Sequence, residues 1–483
     1  MVEFDMDPCL FVVFGATGDL MRRKLLPALY QITRQQKLGD RVKILGVSRS
    51  NMDDRGFRSM ARTALATSKL DTDESLGRWC EQHVHYYPLR TWETEQFQAL
   101  GEIIRDLERR HELPGNRVFY LALPPEVFPS AIQGLGGAAG NRSRGWTRLV
   151  VEKPFGRDLM SARQLNAIAR QYFDEAQTYR IDHYLGKETV QNILVFRFAN
   201  PIFETMWNRD RVESVQITVA EDLGIEQRAG YYEQTGALRD MVQNHLTQIV
   251  TLMAMEAPSS FHPEAIRDEK VKVLHSIAPI SPSAAVFGQY TEGNVNGHKV
   301  PGYLHEPGVA TDSQVETYVG LKLAIANWRW QGVPFYLRTG KRLPRRTTKV
   351  VVTFRCAPVS IFKPFDRCDL HCNVLIITIQ PDEGFDLHFE VKMPGQPIQF
   401  QTQSLRFRYS EVFAPLPDAY QTLLLDVLRG DPTLFVRGDW VEASWRLYDD
   451  LLQKQLKPYP YPAGTWGPSP QNLFSHQTDW LPI

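Results

Sequence analysis

The first third of the chain alternates continuous apolar segments with amphipathic ones. The apolar runs at 9–15, 42–48, 117–125 and 147–154 predict short strands, and the segment 20–36 predicts a helix. Strands that are apolar along their whole length are typical of a parallel sheet covered on both faces. The alternation of strands and helices therefore predicts an N-terminal α/β domain with a Rossmann-like, doubly wound parallel sheet.

A different pattern begins after residue 180. The segments 213–221 and 385–393 alternate apolar and polar positions, and 349–354 and 373–380 are further strand-like runs. Alternation is typical of an antiparallel sheet with one packed face and one wetter face. The second part of the chain is therefore predicted to be an α+β domain with a large, mostly antiparallel sheet.

Two signals near the C-terminus concern individual elements. The segment 418–430 predicts a helix, with Asp418 as its N-cap and Gly430 as its stop. The C-terminal stretch PYPYPAGTWGPSPQ is too rich in proline and glycine to predict regular structure. Since a chain of 483 residues predicts roughly two to four domains, we expect one domain at 1–182 and another at 183–483.

The charge balance narrows the class of protein. Lysine plus arginine and aspartate plus glutamate number 55 each, so nucleic-acid binding is not predicted. The sequence has no apolar run of about 18 residues, so no membrane span is predicted. Its N-terminus carries acids before the first apolar run, unlike a secretory signal. We therefore expect a cytoplasmic protein whose local basic clusters are candidates for binding small anions.

The cysteines also favour a cytoplasmic location. They are odd in number and form no CxxC pair, so we expect them to be reduced; they are Cys9, Cys80, Cys356, Cys368 and Cys372. Cys368 and Cys372 flank His371, a grouping that could indicate a metal site. A metal site needs further ligands, and the sequence offers no second cluster, so no metal is predicted.

The first candidate site is GATGDL (15–20), which directly follows the first strand and opens a helix. Gly15 and Gly18 would let backbone N–H groups approach an anion at a helix N-terminus. The spacing is GxxGxL rather than GxGxxG, so an ordinary tight turn between strand and helix is the alternative.

The end of the second strand bears on the type of dinucleotide. Sites that prefer NAD usually place an acid there to bind the ribose 2′-hydroxyl. Here the residues are Ser48 and Arg49. A guanidinium can pair with a 2′-phosphate, so NADP is favoured. A solvated loop arginine is the alternative for Arg49 alone.

The segment 236–255 predicts a helix whose apolar stripe includes His245. An isolated histidine there is more often a core residue, but beside a carboxylate it could act as a general base. Asp240 is five residues away, and five residues on a regular helix are about 140° apart. The partner of a basic His245 is therefore expected from elsewhere, and Asp182 in RIDHYLGKE (180–188) is available.

Two other charged segments could bind a ligand or be solvated. EKPFG places Lys153 at the carboxyl edge of the predicted parallel sheet, where ligands gather in open α/β sheets. A surface lysine before a turn is the alternative. RTGKRLPRR (338–346) is a strongly basic turn, which could hold a phosphorylated substrate or could be an ordinary solvated loop.

These motifs together resemble the glucose-6-phosphate dehydrogenase family in its bacterial form. The resemblance runs from about residue 9 to about residue 468 and rests on GATGDLMRRK, EKPFG, RIDHYLGKE, GYYEQTGALRDMVQNHL, VPFYLRTGKRLP and AGTWGP. It implies oxidation of β-D-glucose 6-phosphate to 6-phosphoglucono-1,5-lactone with hydride transfer to NADP, the first step of the oxidative pentose phosphate pathway. NAD is implied as a weaker alternative.

The resemblance also implies roles for individual residues. His245 matches the residue that removes the C1 hydroxyl proton, Asp182 the carboxylate that pairs with it, and Lys153 a lysine shared by substrate and cofactor. The implied substrate-binding residues are His183, Tyr184, Lys187, Glu221, Asp240, Lys341, Arg346 and Gln380. The implied cofactor-binding residues, besides Lys153, are Gly15, Thr17, Gly18, Asp19, Leu20, Lys24, Ser48, Arg49, Ala122 and Pro124.

One departure from some family members concerns a second, structural NADP site. Those members hold it with basic residues at positions that match Thr347 and Thr378, both uncharged, so we expect this site to be absent. The resemblance implies a homodimer or homotetramer formed through the large sheet. The alternatives are another NADP-dependent sugar or sugar-phosphate dehydrogenase, which would lack the phosphate-binding set, and a catalytically silent binding subunit, which would have lost His245, Asp182 or Lys153.

Overall fold

The protein is described here by a computed structural model. It defines residues 6–35, 41–68, 70, 73–139, 143–359, 361–362, 371–395, 398–454, 456–468 and 480–481. Elements are numbered along the whole chain. Within the described residues, no helix combines the length and the apolar character that crossing a bilayer requires.

The chain divides into two compact units. The first contains Met1–Lys187, Ser260–Arg267 and Pro417–Glu442, and the second contains Glu188–Ser259, Asp268–Leu416 and Ala443–Ile483. The first unit therefore continues to Lys187 instead of ending at residue 182, and it also includes two segments from later in the chain. A boundary placed by the change of pattern along the chain cannot reveal such returning segments.

A parallel sheet forms the centre of the first unit. Over the described residues it has seven strands in the order β17-β6-β5-β4-β1-β2-β3. The pairs are parallel except β17 with β6. The strands are β1 Cys9–Phe14, β2 Val42–Ser48, β3 Val84–Pro88, β4 Arg117–Leu121, β5 Thr147–Glu152, β6 Thr178–Ile181 and β17 Phe435–Val436. All four predicted strands are present, and the predicted doubly wound fold is confirmed.

Helices accompany this sheet along the chain. The predicted helix at 20–36 is a π-helix, Met21–Leu25, followed by an α-helix. Asp418 caps the predicted later helix by accepting the N–H of Tyr420, and Gly430 ends it in a left-handed conformation, as expected. The α-helices are α1 Leu26–Gln35, α2 Asp54–Thr67, α3 Asp73–His83, α4 Thr94–Arg110, α5 Phe128–Gly134, α6 Leu159–Tyr172 and α13 Ala419–Arg429.

The second unit contains a larger sheet. In the described part of the chain it has nine strands in the order β16-β15-β14-β13-β7-β12-β11-β8-β18. The pairs β7–β12 and β8–β18 are parallel and the others are antiparallel, as predicted for a mostly antiparallel sheet. The strands are β7 Val212–Ala220, β8 Ala285–Thr291, β11 Tyr318–Ala324, β12 Pro334–Gly340, β13 Thr347–Phe354, β14 Val374–Gln380, β15 Gly384–Lys392, β16 Phe400–Arg408 and β18 Tyr459–Pro462.

The remaining elements are shorter or less regular. The strands β9 Gly293–Val295 and β10 His298–Val300 pair as a ribbon. Two helices, α11 Pro263–Ser276 and α14 Gly438–Lys454, contain residues of both units. The other helices are α7 Glu188–Phe198, α8 Pro201–Met206, α9 Ala229–Ala237, the π-helix Leu238–Leu246, α10 Thr247–Ala254 and α12 Tyr409–Val412.

Two expectations about the second sheet were wrong. Within the C-terminal stretch predicted to lack regular structure, Tyr459–Pro462 forms β18, because a parallel pairing with β8 accommodates its prolines at the sheet edge. The predicted wetter face of β7 is buried, with Gln216 and Thr218 each 2% exposed. The Thr218 hydroxyl accepts a hydrogen bond from Arg338 Nε at 2.9 Å, which offsets part of its desolvation.

The cysteine prediction also needs correction. Cys356 and Cys372, at the ends of the loop between β13 and β14, are joined by a disulfide, so reduced cysteines are not found throughout. Cys9 and Cys80 are free and buried, and burial raises the pKa of their thiols to about 12 and about 11. Cys368, part of the grouping considered for a metal, lies outside the described residues.

Candidate active site

The turn after β1 depends on Gly15. This residue has φ +82°, in the left-handed region, and a Cβ there would collide with the carbonyl oxygen of Ala122. Its N–H donates to the carbonyl of Val47 at 2.8 Å. Glycine is therefore required both by conformation and by the close approach of the strand ends.

Side chains join the ends of β1 and β2 across this turn. The Thr17 hydroxyl lies 3.2 Å from Ser48 Oγ and 3.3 Å from Ser50 Oγ. The Tyr86 hydroxyl, from β3, lies 2.7 Å from Ser48 Oγ and donates to the carbonyl of Ser50 at 2.7 Å. A network of hydroxyl groups therefore fixes the position at which the second strand ends.

An open cleft of about 530 Å³ lies over these strand ends. Seven of the predicted cofactor-binding residues line it, namely Gly15, Thr17, Gly18, Ser48, Arg49, Ala122 and Pro124. Other lining residues, including Leu89 and Trp92, were not predicted, because the short strand β3 that precedes them was not recognised. The valine and the two tyrosines of VHYYP, residue types enriched in strands, were the signal that could have identified β3.

Four predicted cofactor residues are not among the residues that line the cleft, namely Asp19, Leu20, Lys24 and Lys153. Asp19 pairs with Arg23 at 2.8 Å on the surface. Leu20 packs against the core of the unit. Lys24 Nζ lies 2.6 Å from Asp418 Oδ2, at the N-cap of α13. A cofactor role for these residues stays a prediction.

Lys153 follows β5, and its peptide bond to Pro154 is cis. The neighbouring Glu152 is buried and accepts a hydrogen bond from the Tyr120 hydroxyl at 2.5 Å. Burial raises the pKa of Glu152, while hydrogen bonds from Tyr120 and Tyr420 and the charge of Lys153 oppose the rise. The sequence analysis did not single out Glu152, and a buried acid before a lysine gives no periodic signal.

The segment RIDHYLGKE begins with the last two residues of β6, turns at residues 183–186 and ends at Glu188, the first residue of α7. Asp182 is 1% exposed, and its Oδ1 accepts the N–H of Tyr184 at 3.0 Å. The ammonium of Lys187 lies 3.9 Å from the centre of the Tyr184 ring, and the His183 ring meets the same tyrosine edge-on. The three residues predicted to bind phosphate therefore form one contiguous group.

The first residue of that motif has a different role. Arg180 is 3% exposed and pairs with Glu175 at 2.6 Å within the first unit. It also donates to the carbonyl of Val436 at 3.4 Å, beside the pairing of β17 with β6. Arg180 therefore has a structural role within the first unit.

In the second unit, Glu221 and Lys341 follow the neighbouring parallel strands β7 and β12. Lys341 Nζ donates to Glu221 Oε2 at 2.7 Å, and the Lys341 ammonium lies 5.2 Å from the centre of the Tyr232 ring. These two predicted substrate residues are therefore in contact. Parallel strand ends meet at one edge of a sheet, which explains why residues so far apart in sequence are neighbours.

Two other predicted substrate residues are on adjoining strands. Arg346 directly precedes β13 and is exposed. Gln380 ends β14, opposite Thr348, and its carbonyl accepts the Thr347 hydroxyl at 3.4 Å. Thr347 and Thr378, the positions used to predict that a second NADP site is absent, are both buried in this pair of strands.

The helix expected over 236–255 is not regular. Gly236 has φ 62° and ψ 178° and interrupts it, and Leu238–Leu246 is a π-helix. A π-helix bonds residues i and i+5, so Asp240 and His245 lie one turn apart near the same side. The predicted separation of about 140° is wrong, because it assumed α-helical geometry.

Both residues of this π-helix are deeply buried. His245 is 1% exposed, and its backbone N–H donates to Asn244 Oδ1 at 2.5 Å. Asp240 is 7% exposed and accepts a hydrogen bond from the Tyr231 hydroxyl at 3.3 Å. Burial and the charge of Asp240 raise the pKa of Tyr231, which keeps its hydroxyl a donor.

Comparison with known proteins covers both units. The family model described as "Glucose-6-phosphate dehydrogenase, NAD binding domain" matches residues 12–192, and that described as "Glucose-6-phosphate dehydrogenase, C-terminal domain" matches residues 194–480. Similar curated proteins are named glucose-6-phosphate 1-dehydrogenase. The protein from Aggregatibacter actinomycetemcomitans is 43% identical over 95% of this chain and 94% of its own, and that from Treponema pallidum is 44% identical over 95% and 92%.

A similar solved structure is described as glucose-6-phosphate dehydrogenase in complex with its substrate glucose-6-phosphate. It is 37% identical, with a TM-score of 0.89, and covers 96% of both chains. The two family models together match residues 12–192 and 194–480, which is nearly the whole chain. The chain therefore belongs to the glucose-6-phosphate dehydrogenase family.

Proposed function

We propose that this chain oxidises the C1 hydroxyl of β-D-glucose 6-phosphate to 6-phosphoglucono-1,5-lactone and passes the hydride to NADP. The observation that carries the proposal is family membership over nearly the whole chain, with relatives named for this activity. The solved relative bound to glucose 6-phosphate supports the choice of substrate. The reaction opens the oxidative pentose phosphate pathway.

The cleft of the first unit fits a dinucleotide. Gly15 and Gly18 line the cleft, and because they carry no side chain an extended ligand can approach their backbone closely. When bound, the nicotinamide accepts the hydride that leaves C1. Arg49, exposed at the end of β2 beside Ser48, supports NADP over NAD because a guanidinium pairs with a 2′-phosphate. NAD is expected to serve more weakly.

His245 is proposed as the general base. Hydride departure produces a carbonyl only when the C1 hydroxyl proton also leaves, so a base is required. The family resemblance gives Asp182 the task of steadying the imidazolium that forms. Lys153 is proposed to serve both substrate and cofactor.

The remaining predicted residues are proposed to bind the sugar phosphate. His183, Tyr184 and Lys187 would hold the phosphate, and this anchoring places C1 for reaction. Asp240 and Glu221 would accept hydrogen bonds from sugar hydroxyls, and their contacts with Tyr231 and Lys341 support fixed orientations. Arg346 and Gln380 would complete the sugar side. We also expect a homodimer or homotetramer in the cytoplasm.

A single assay tests the proposal against its two alternatives. NADP reduction is measured with glucose 6-phosphate, glucose and galactose 6-phosphate, and again with NAD. We expect turnover with glucose 6-phosphate far above the other two sugars. Comparable turnover with unphosphorylated glucose would indicate a different sugar dehydrogenase. Purified, folded protein without turnover on any sugar would indicate a silent binding subunit.

A further inference from the structure

Glu316 contacts the beginning of the π-helix that carries Asp240 and His245, which we call the acid–base helix. The Glu316 carbonyl accepts the N–H of Ala237 at 3.0 Å, and its Oε1 accepts the N–H of Leu238 at 2.9 Å. The first N–H groups of a helix have no partner within the helix, and negative charge is favourable there. A single residue therefore satisfies two of these donors.

Gly236 makes this close contact possible. Its φ of 62° and ψ of 178° separate α9 from the acid–base helix. A Cβ on Gly236 would collide with the Glu316 carboxylate. The backbone break and the carboxylate therefore fix, together, the residue at which the acid–base helix begins.

The same segment also supports the substrate side of the second unit. The carbonyl of Thr317 accepts the N–H of Lys341 at 2.9 Å, and Lys341 in turn holds the Glu221 carboxylate. Glu316 and Thr317 thus join the acid–base helix to the turn after β12. A shift at Glu316 would be transmitted to Asp240 and His245, because both side-chain directions depend on where the π-helix begins.

The chemistry of the contact suggests a matched variant. Burial raises the pKa of Glu316, opposed by the hydrogen bond from Leu238 N–H and by the charge of Arg239. The carbonyl oxygen of a glutamine side chain can accept the same hydrogen bond at the same reach. Alanine removes the acceptor, and aspartate keeps the carboxylate but shortens its reach by one methylene.

We propose that Glu316 is a positioning residue, which sets the direction of the acid–base helix so that His245 can accept the C1 proton. It is not proposed to touch substrate or cofactor. The role in turnover rests on the function proposed above, whereas the contact itself can be tested without turnover.

The test compares Glu316→Ala, Glu316→Asp and Glu316→Gln with a control, Glu213→Ala. Glu213 is an exposed glutamate near the beginning of β7. We expect Glu316→Ala and Glu316→Asp to lower kcat at least about tenfold, because a small misplacement of the reacting groups slows the reaction strongly. The KM for NADP should stay within about twofold of the wild-type value. Glu316→Gln and Glu213→Ala should retain most of the turnover. With glucose 6-phosphate deuterated at C1, the isotope effect on kcat should rise in the Ala and Asp variants as chemistry becomes slower.

Hydrogen exchange of the unliganded protein provides an independent measurement. Amides of the acid–base helix should exchange faster in Glu316→Ala and Glu316→Asp than in wild type or Glu213→Ala. Wild-type kcat with wild-type exchange in these variants would overturn the proposal. The proposal would also be overturned if these variants lost turnover while the isotope effect was unchanged and amides throughout the second unit exchanged faster. If the wild-type chain does not oxidise glucose 6-phosphate, the proposed function fails, and the exchange result alone decides the role of Glu316.

Discussion

The cleft of the first unit and the acid–base helix of the second are built in different ways. The cleft is formed by backbone turns that directly follow parallel strands, with Gly15 and Ser48 at the ends of β1 and β2. His245 instead lies within an irregular helix whose start is fixed by Gly236 and Glu316. Changes to ligand-binding groups of the first unit, such as Arg49 and Lys187, should therefore alter the ligand concentrations required, whereas changes at His245 or Glu316 should alter turnover.

The largest expected effect is that of His245→Asn. Asparagine is polar and of similar size but cannot accept the proton, so kcat should fall at least about 100-fold with KM little changed. Steady-state kinetics with glucose 6-phosphate and NADP measures this. His275→Asn, on the exposed face of α11, is the control and should behave as wild type. Near-normal turnover of His245→Asn would contradict the assignment of the general base.

Lys187→Ala should give the next largest effect, on the other side of the comparison. Loss of one charge-assisted contact to phosphate should raise KM for glucose 6-phosphate roughly 10- to 100-fold. Lys322→Ala is a matched control, because Lys322 also lies over a tyrosine ring, at 5.9 Å from the centre of Tyr336. An unchanged KM in Lys187→Ala would remove this residue from the phosphate site.

Arg49→Ala should separate the two dinucleotides. If its guanidinium pairs with the 2′-phosphate, the variant should raise KM for NADP by about tenfold or more while KM for NAD changes little. The ratio of the two KM values, measured at saturating glucose 6-phosphate, is the informative quantity. Arg55→Ala, at an exposed position of α2, controls for loss of a nearby positive charge. Equal losses for both cofactors would show that Arg49 does not contact the 2′-phosphate.

The cleft could be predicted from sequence because its information is local. Each turn follows a continuous apolar strand, and the order of strands in a doubly wound sheet brings the turns together. The contact of Glu221 with Lys341 could not be predicted from spacing, since it depends on the parallel pairing of β7 with β12. Periodicity identified β7, but it identified neither β12 nor the pairing of the two strands.

The acid–base helix was harder to predict from the sequence than the cleft. Apolar periodicity suggested a regular helix over 236–255, whereas eight of the nine residues of the π-helix Leu238–Leu246 are buried, so the apolar stripe did not reveal its geometry. Gly236 is a helix-breaking signal in the sequence. The position at which the new helix begins, however, also depends on the carboxylate of Glu316, which is far away in the sequence. For this reason the predicted relative direction of the Asp240 and His245 side chains was wrong.

The smallest expected effect concerns the network behind the cleft, where Tyr86→Phe removes one hydroxyl and retains the ring. That hydroxyl contacts Ser48 Oγ and donates to the Ser50 carbonyl, so its loss should loosen the end of β2. With about 0.5–1.5 kcal/mol per hydrogen bond, KM for NADP should rise roughly three- to tenfold while kcat is kept. A fall in kcat without a change in KM would contradict the division of roles between the cleft and the acid–base helix, because it would mean that cleft geometry limits the chemical step.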